Sequence, residues 1–118
     1  MRLKEIIERF TLVSGFEMKD VSRCLPIIGG CKAYFESLIP ELSENDLRRA
    51  EHACAVYAFY RVSQMGRLDD LQSFKVGDVQ MSVEAIGEAA KKLWDAERES
   101  ISDIVDFGGR FAFRSVSV

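Results

Sequence analysis

The stretch from Ser43 to Gly66 constrains this chain more than any other. It opens with Ser43-Glu44-Asn45-Asp46, a hydroxyl suited to accept from a helix-start N–H, followed by acids where the helix dipole favours them. It closes at Gly66, so the spacing predicts a helix running to about Met65. Leu47, Ala50, Cys54, Tyr57, Ala58 and Met65 fall on one side of that helix. Ala53-Cys54-Ala55-Val56-Tyr57-Ala58-Phe59-Tyr60, however, is apolar nearly all round. Such a helix is buried on more than one face. The remaining segments must therefore gather around it.

Those segments are mostly helical in pattern. Leu3, Ile6, Ile7, Phe10 and Val13 recur at helical spacing, and Gly15 is a natural stop. Asp20 or Ser22 suits a cap, but Pro26 lacks a donor and disfavours helical geometry at Leu25. A short turn near residues 19–24 is expected, then a helix from about Pro26 to Ile39 with Ile28, Cys31, Phe35 and Leu38 as its stripe. Gly29-Gly30 weakens that helix by about 1 kcal/mol per glycine relative to alanine, and reads as a close crossing by another backbone. A last helix is expected over about Val83 to Val105, with Ile86, Ala90, Leu93, Ile101 and Ile104 on one face and Trp94 on its flank. Its outer surface is acidic, residues 84–106 holding seven acids and three bases.

Two stretches change period. Ser73-Phe74-Lys75-Val76-Gly77-Asp78-Val79-Gln80-Met81 alternates on both sides of a Gly-Asp pair, which suits a type II′ hairpin turn. Beyond Gly108-Gly109, Arg110-Phe111-Ala112-Phe113-Arg114-Ser115-Val116 alternates like a strand. The expected fold is mainly α, a small bundle of about four helices. A short β-hairpin lies between the last two long helices and an extended tail follows at the C-terminus. With 118 residues, and no repeat or linker, this is one domain spanning residues 1–118.

Composition narrows the function. A hydrophobic share of 47% beside 30% charged residues is that of an ordinary globular chain. No apolar run approaches the roughly 18 residues of a membrane span, and no secretory signal peptide is expected from the early charges. A net charge of −3 argues against coating nucleic acid. The odd set Cys24, Cys31 and Cys54, each among apolar neighbours, suggests buried reduced thiols rather than a disulfide framework.

No constellation for catalysis emerges. Gly29-Gly30 and Gly108-Gly109 lack phosphate-loop spacing. Cys24 and Cys31 lack zinc spacing, and His52 and Cys54, two apart on a helix, point in different directions. Asp69-Asp70 and Glu97/Glu99 read as a loop and a solvated helix face. The expectation is a non-enzyme with no catalytic, cofactor-binding or metal-binding residue.

Arg61 and Glu97 do stand out, because each falls within an apolar helix face and isolated buried charges are costly. Either each meets another segment or a neighbouring subunit, or both run along the bundle rim with their heads in water. The hairpin and tail likewise have two readings: they cover the helix ends, or their edges and aromatics dock on other chains. On the second reading Phe74, Val76, Val79, Met81, Arg61, Glu97, Phe111, Phe113 and Arg114 form the subunit or partner interface.

The order of features resembles the small head–tail connector, or head-completion adaptor, proteins of tailed bacteriophages and prophages. The likeness rests on Asp46-Leu-Arg-Arg-Ala with Ala55-Val-Tyr-Ala-Phe-Tyr-Arg61, on Ser73 to Val79, on Ala89-Ala-Lys-Lys-Leu-Trp94, and on Phe111-Ala-Phe-Arg-Ser-Val116. It implies a helical bundle with an extended hairpin or arm, assembled as a homo-oligomeric ring beneath the portal. Double-stranded DNA would pass through as cargo, and the portal and neighbouring head and tail proteins would be partners. The location implied is the bacterial cytoplasm during assembly, then the virion neck. The alternative is a small helical regulatory or DNA-binding module, with Arg48-Arg49 or Arg110/Arg114 as phosphate contacts.

Overall fold

The structure, a computed structural model, describes residues 1–65, 83–105 and 107. Among them are five helices and no strand: α1 (Leu3–Ser14), α2 (Met18–Arg23), α3 (Leu25–Glu36), α4 (Glu44–Gln64) and α5 (Val83–Ser100). None of these is long and apolar enough to cross a membrane.

The central position of α4 follows from its sequence. Ser43 Oγ accepts from the Asp46 N–H at 3.2 Å, so the helix starts where the cap signal puts it. Helices α1, α3 and α5 all pack on α4. They can do so because Ala50, Ala53, Ala55 and Ala58 are wholly buried along it, and a methyl side chain lets a neighbouring helix approach closely. Larger residues from the surrounding helices then fill the interior. Phe10 of α1 and Phe59 of α4 meet across Phe16, with ring centroids 5.8 and 5.9 Å away in edge-to-face geometry. At the other side Phe35 of α3, Tyr57 of α4 and Trp94 of α5 form a second aromatic group.

The expectation of about four helices with a β-hairpin is corrected on both counts. The turn near residues 19–24 is a helix, α2. The amides of Asp20 and Val21 both donate to Glu17 O at 2.9 Å, and Val21 and Cys24 enter the core. Burial of those two side chains outweighs weak local propensity. Cys24 (φ −90°, ψ −4°) both ends α2 and begins α3. Pro26 lies in the first turn of α3, where its missing N–H has no helical partner to lose. The hairpin is not part of the described architecture: Ser73–Met81 and Arg110–Val116 lie outside the described residues. A two-stranded hairpin is marginal without a sheet or helix face behind it, and no strand is present among the described residues to extend one.

Three smaller expectations also shift. Helix α3 ends at Glu36 rather than Ile39 because the Ser37 hydroxyl donates to Tyr34 O at 2.6 Å, and the Leu38 and Ile39 amides both turn back to Phe35 O. Helix α5 ends at Ser100, and turns carry the chain on so that Ile101 and Val105 are buried. Its buried face passes through Trp94, 6% exposed, while Leu93 is 47% exposed. The indole is the larger apolar surface and takes the place beside Tyr57.

Gly29-Gly30 does not mark a backbone crossing. A Cβ built at either position meets nothing within 4 Å. Gly29→Ala is therefore expected to stabilise the fold by about 1 kcal/mol through helix propensity alone, read as a higher midpoint in urea. Gly15 is different. It caps α1 at φ 72°, where a side chain would be strained.

Candidate functional site

A cleft of about 530 Å³ opens between α3 and α4. Two rows at four-residue spacing form its walls: Pro26, Gly30 and Tyr34 with Ile27 and Cys31 from α3, and Tyr57 and Arg61 from α4 with Met65 at its C-terminal cap. Residues four apart stack on one helix face, so each wall is continuous. Gly30 contributes no side chain, and that keeps the cleft open. Tyr34 and Tyr57 lie 5.7 Å apart at 33°, and the Arg61 guanidinium sits 6.0 Å from the Tyr57 centroid. Burial pushes the Tyr57 phenol up from its ordinary pKa, against the pull of the nearby Arg61 guanidinium. Tyr34 is 41% and Met65 47% exposed. A smaller cleft of about 160 Å³ adjoins, sharing Tyr34 and Tyr57 with Trp94, Arg98 and Phe107.

No protein-family model matches the chain, and no curated protein or solved structure is detectably similar to it. The site is read from its geometry.

Of the nine interface residues expected from sequence, two lie among the described residues. Arg61 is exposed, lies along Tyr57, and makes no ion pair among the described residues. Glu97 is half-buried and its Oε1 is 3.9 Å from Nε2 of His52 on α4. The two are not brought together. Arg61 follows the rim reading, whereas Glu97 meets another segment of its own chain. Phe74, Val76, Val79, Met81, Phe111, Phe113 and Arg114 lie outside the described residues.

Arg48 and Arg49, offered as phosphate contacts, are occupied at home. Arg48 Nε is 3.1 Å from Glu44. Arg49 reaches Asp46 and Asp103, each at 2.9 Å, and donates to Ser100 O. Arg110 and Arg114 lie outside the described residues. Among the described residues no three His, Cys, Asp or Glu side chains gather as metal ligands.

The three thiols are buried. Burial pushes Cys24 and Cys31 up to about 11, and Cys54 further. The thiolate is the reactive species, so native protein at pH 7.5 is expected to resist Ellman's reagent, with all three thiols released on addition of denaturant. Rapid labelling of the native protein would contradict this packing.

One feature escaped the sequence reading. Glu51 is 1% exposed, and its carboxylate accepts from the Arg2 backbone N–H at 2.7 Å, from Arg2 Nε at 3.0 Å and from Nη2 at 2.9 Å. The signal was present: Glu51, Ala55, Ala58 and Val62 form one i, i+4, i+7, i+11 row, all buried. Arg2 also reaches Glu44 at 3.0 Å. The pair pins the start of α1 to α4.

Proposed function

We propose that this chain is a structural assembly subunit that works by self-association, with the cleft between α3 and α4 as its docking surface. The observation that carries this is an aromatic-lined cleft bearing an arginine with no ion pair among the described residues, with exposed Tyr34 and Met65 in its walls. Concave grooves lined by apolar and aromatic side chains are where partners and ligands preferentially bind. Tyrosine, methionine and arginine are also the residue types enriched in interface cores. The patterns in Asp46–Arg61 and Ala89–Trp94 add the resemblance to phage head–tail connectors. On that reading the chain is a non-catalytic ring subunit that docks on a portal, and DNA passes it as cargo. The net charge of −3 suits a channel wall that does not hold phosphates.

Light scattering of the purified full chain over a concentration series, alone and with a phage portal protein, tests the proposal. A mass rising to a discrete oligomer, or co-elution with the portal, is expected. A species that stays at 13.3 kDa in both conditions overturns it. Binding to duplex DNA that weakens steeply with salt would favour the regulatory alternative instead.

A further inference from the structure

We infer that the chain covers the α3/α4 cleft with its own C-terminal tail, Phe111 and Phe113 being the side chains that enter it, so that self-association proceeds only as the tail gives way. The gating rests on the self-association reading; the cover itself does not.

The covering has begun where the described residues stop. Phe107 is the last of them. Its ring lies 6.4 Å from that of Tyr34, 5.4 Å from Phe35 and 5.3 Å from Trp94, and the Arg98 guanidinium sits 5.9 Å from its centroid. Phe107 thereby lines the smaller cleft, which shares Tyr34 and Tyr57 with the larger one. The two clefts form one trough, and the chain has already seated an aromatic side chain at its near end. Further along, the α4 wall continues through Arg61 and Met65, about 6 and 12 Å past Tyr57 at a helical rise of about 1.5 Å per residue.

The sequence that follows suits the rest of the trough. Gly108-Gly109 puts no side chain on the bend that this course requires. Phe111 and Phe113 come four and six residues after Phe107. An extended chain spans at most about 14 and 21 Å over those separations, so the first extends to Arg61 and the second to Met65. With strand-like alternation both phenyl groups share one edge, and Arg110, Ala112 and Arg114 share the other. The cations of the tail then point away from Arg61, while a phenyl face laid against that guanidinium is favourable. A segment tethered this closely acts at an effective concentration of roughly millimolar order, which a free partner has to outcompete.

Two variants of the full chain test this. Phe111→Asp/Phe113→Asp removes the cover and leaves every described residue in place, with far-UV circular dichroism to verify the fold. Light scattering is expected to show it self-associating at least tenfold more tightly than wild type. Met65→Cys/Phe113→Cys puts one thiol at the cleft, Met65 being 47% exposed, and one on the tail. Mild oxidation is expected to join them within a single chain, seen as a monomer on a non-reducing gel and mapped by mass spectrometry. The native thiols are buried and do not compete. If no such disulfide forms, or if it joins two chains, the tail is not the cleft's own cover. The inference fails equally if wild type assembles and Phe111→Asp/Phe113→Asp assembles no better. If the disulfide forms within one chain but neither wild type nor Phe111→Asp/Phe113→Asp assembles, alone or with portal, the cover stands and the self-association reading fails.

Discussion

Phe35→Ala is expected to lower the free energy of unfolding by about 3–5 kcal/mol, the largest effect of any single truncation in this fold. The side chain is fully buried, with ring centroids of Tyr57, Trp94 and Phe107 at 5.8, 6.2 and 5.4 Å. It is where α3, α4 and the end of the described chain meet, so a cavity there has no side able to collapse. A urea titration followed by tryptophan fluorescence measures it directly, since Trp94 is the only tryptophan. Its neighbour Tyr34, 41% exposed, gives the contrast. Tyr34→Ala is expected to cost about 1 kcal/mol or less, surface positions being the more tolerant, while weakening self-association. Equal loss of stability at both positions would mean that the cleft wall is structural and has no docking role.

The second large effect is expected at Glu51. Glu51→Gln removes the charge from a buried acceptor of three hydrogen bonds and is expected to cost about 2 kcal/mol at neutral pH, as bonds to charged groups do. Burial alone would raise the pKa of this carboxyl. The bonds from the Arg2 side chain and backbone overcome that and hold it below its ordinary 4.5. A carboxyl depressed in the folded state contributes stability that is fully present above 4.5 and is lost as pH falls through the lower folded value. Glu36, held down by its bond with the Met1 ammonium, and Asp103, held down by Arg49, act in the same direction. Wild type is therefore expected to lose stability progressively below pH 4.5, and Glu51→Gln to show a shallower slope there. Parallel slopes for the two proteins would show that Glu51 does not hold the ion pair.

These two positions also mark how far the sequence could be read. Phe35 was legible, because Ile28, Cys31 and Phe35 repeat on one face and that periodicity survives any detail of the helix ends. The N-terminal cap at Ser43 and the centrality of α4 were legible for the same kind of reason: a local hydrogen bond and a run apolar on every side. Glu51 was not, because a charge is normally a solvent signal and its partner lies 49 residues away in sequence. Helix α2 was missed since six residues carry no period of their own, and what winds them is the core that receives Val21 and Cys24. The exchange of Leu93 for Trp94 on the buried face of α5 was likewise decided by tertiary packing, by the space beside Tyr57. The cleft itself depends on Gly30 lying opposite Arg61 and Met65, a relation between two helices that no single periodicity contains. The alternation in Ser73–Met81 predicts a strand pair, but those residues lie outside the described ones, which hold five helices and no strand.

The spine of methyl groups along α4 has one more implication. Where three rods are pinched onto a fourth, the interior is ruled by girth rather than greasiness. A saturation scan of positions 50, 53, 55 and 58 should therefore reject leucine and phenylalanine nearly as firmly as lysine, and admit glycine, serine and cysteine in part. Swelling any one of them by a few carbon atoms is expected to cost about 1–3 kcal/mol, and to splay the outer rods wherever it sits.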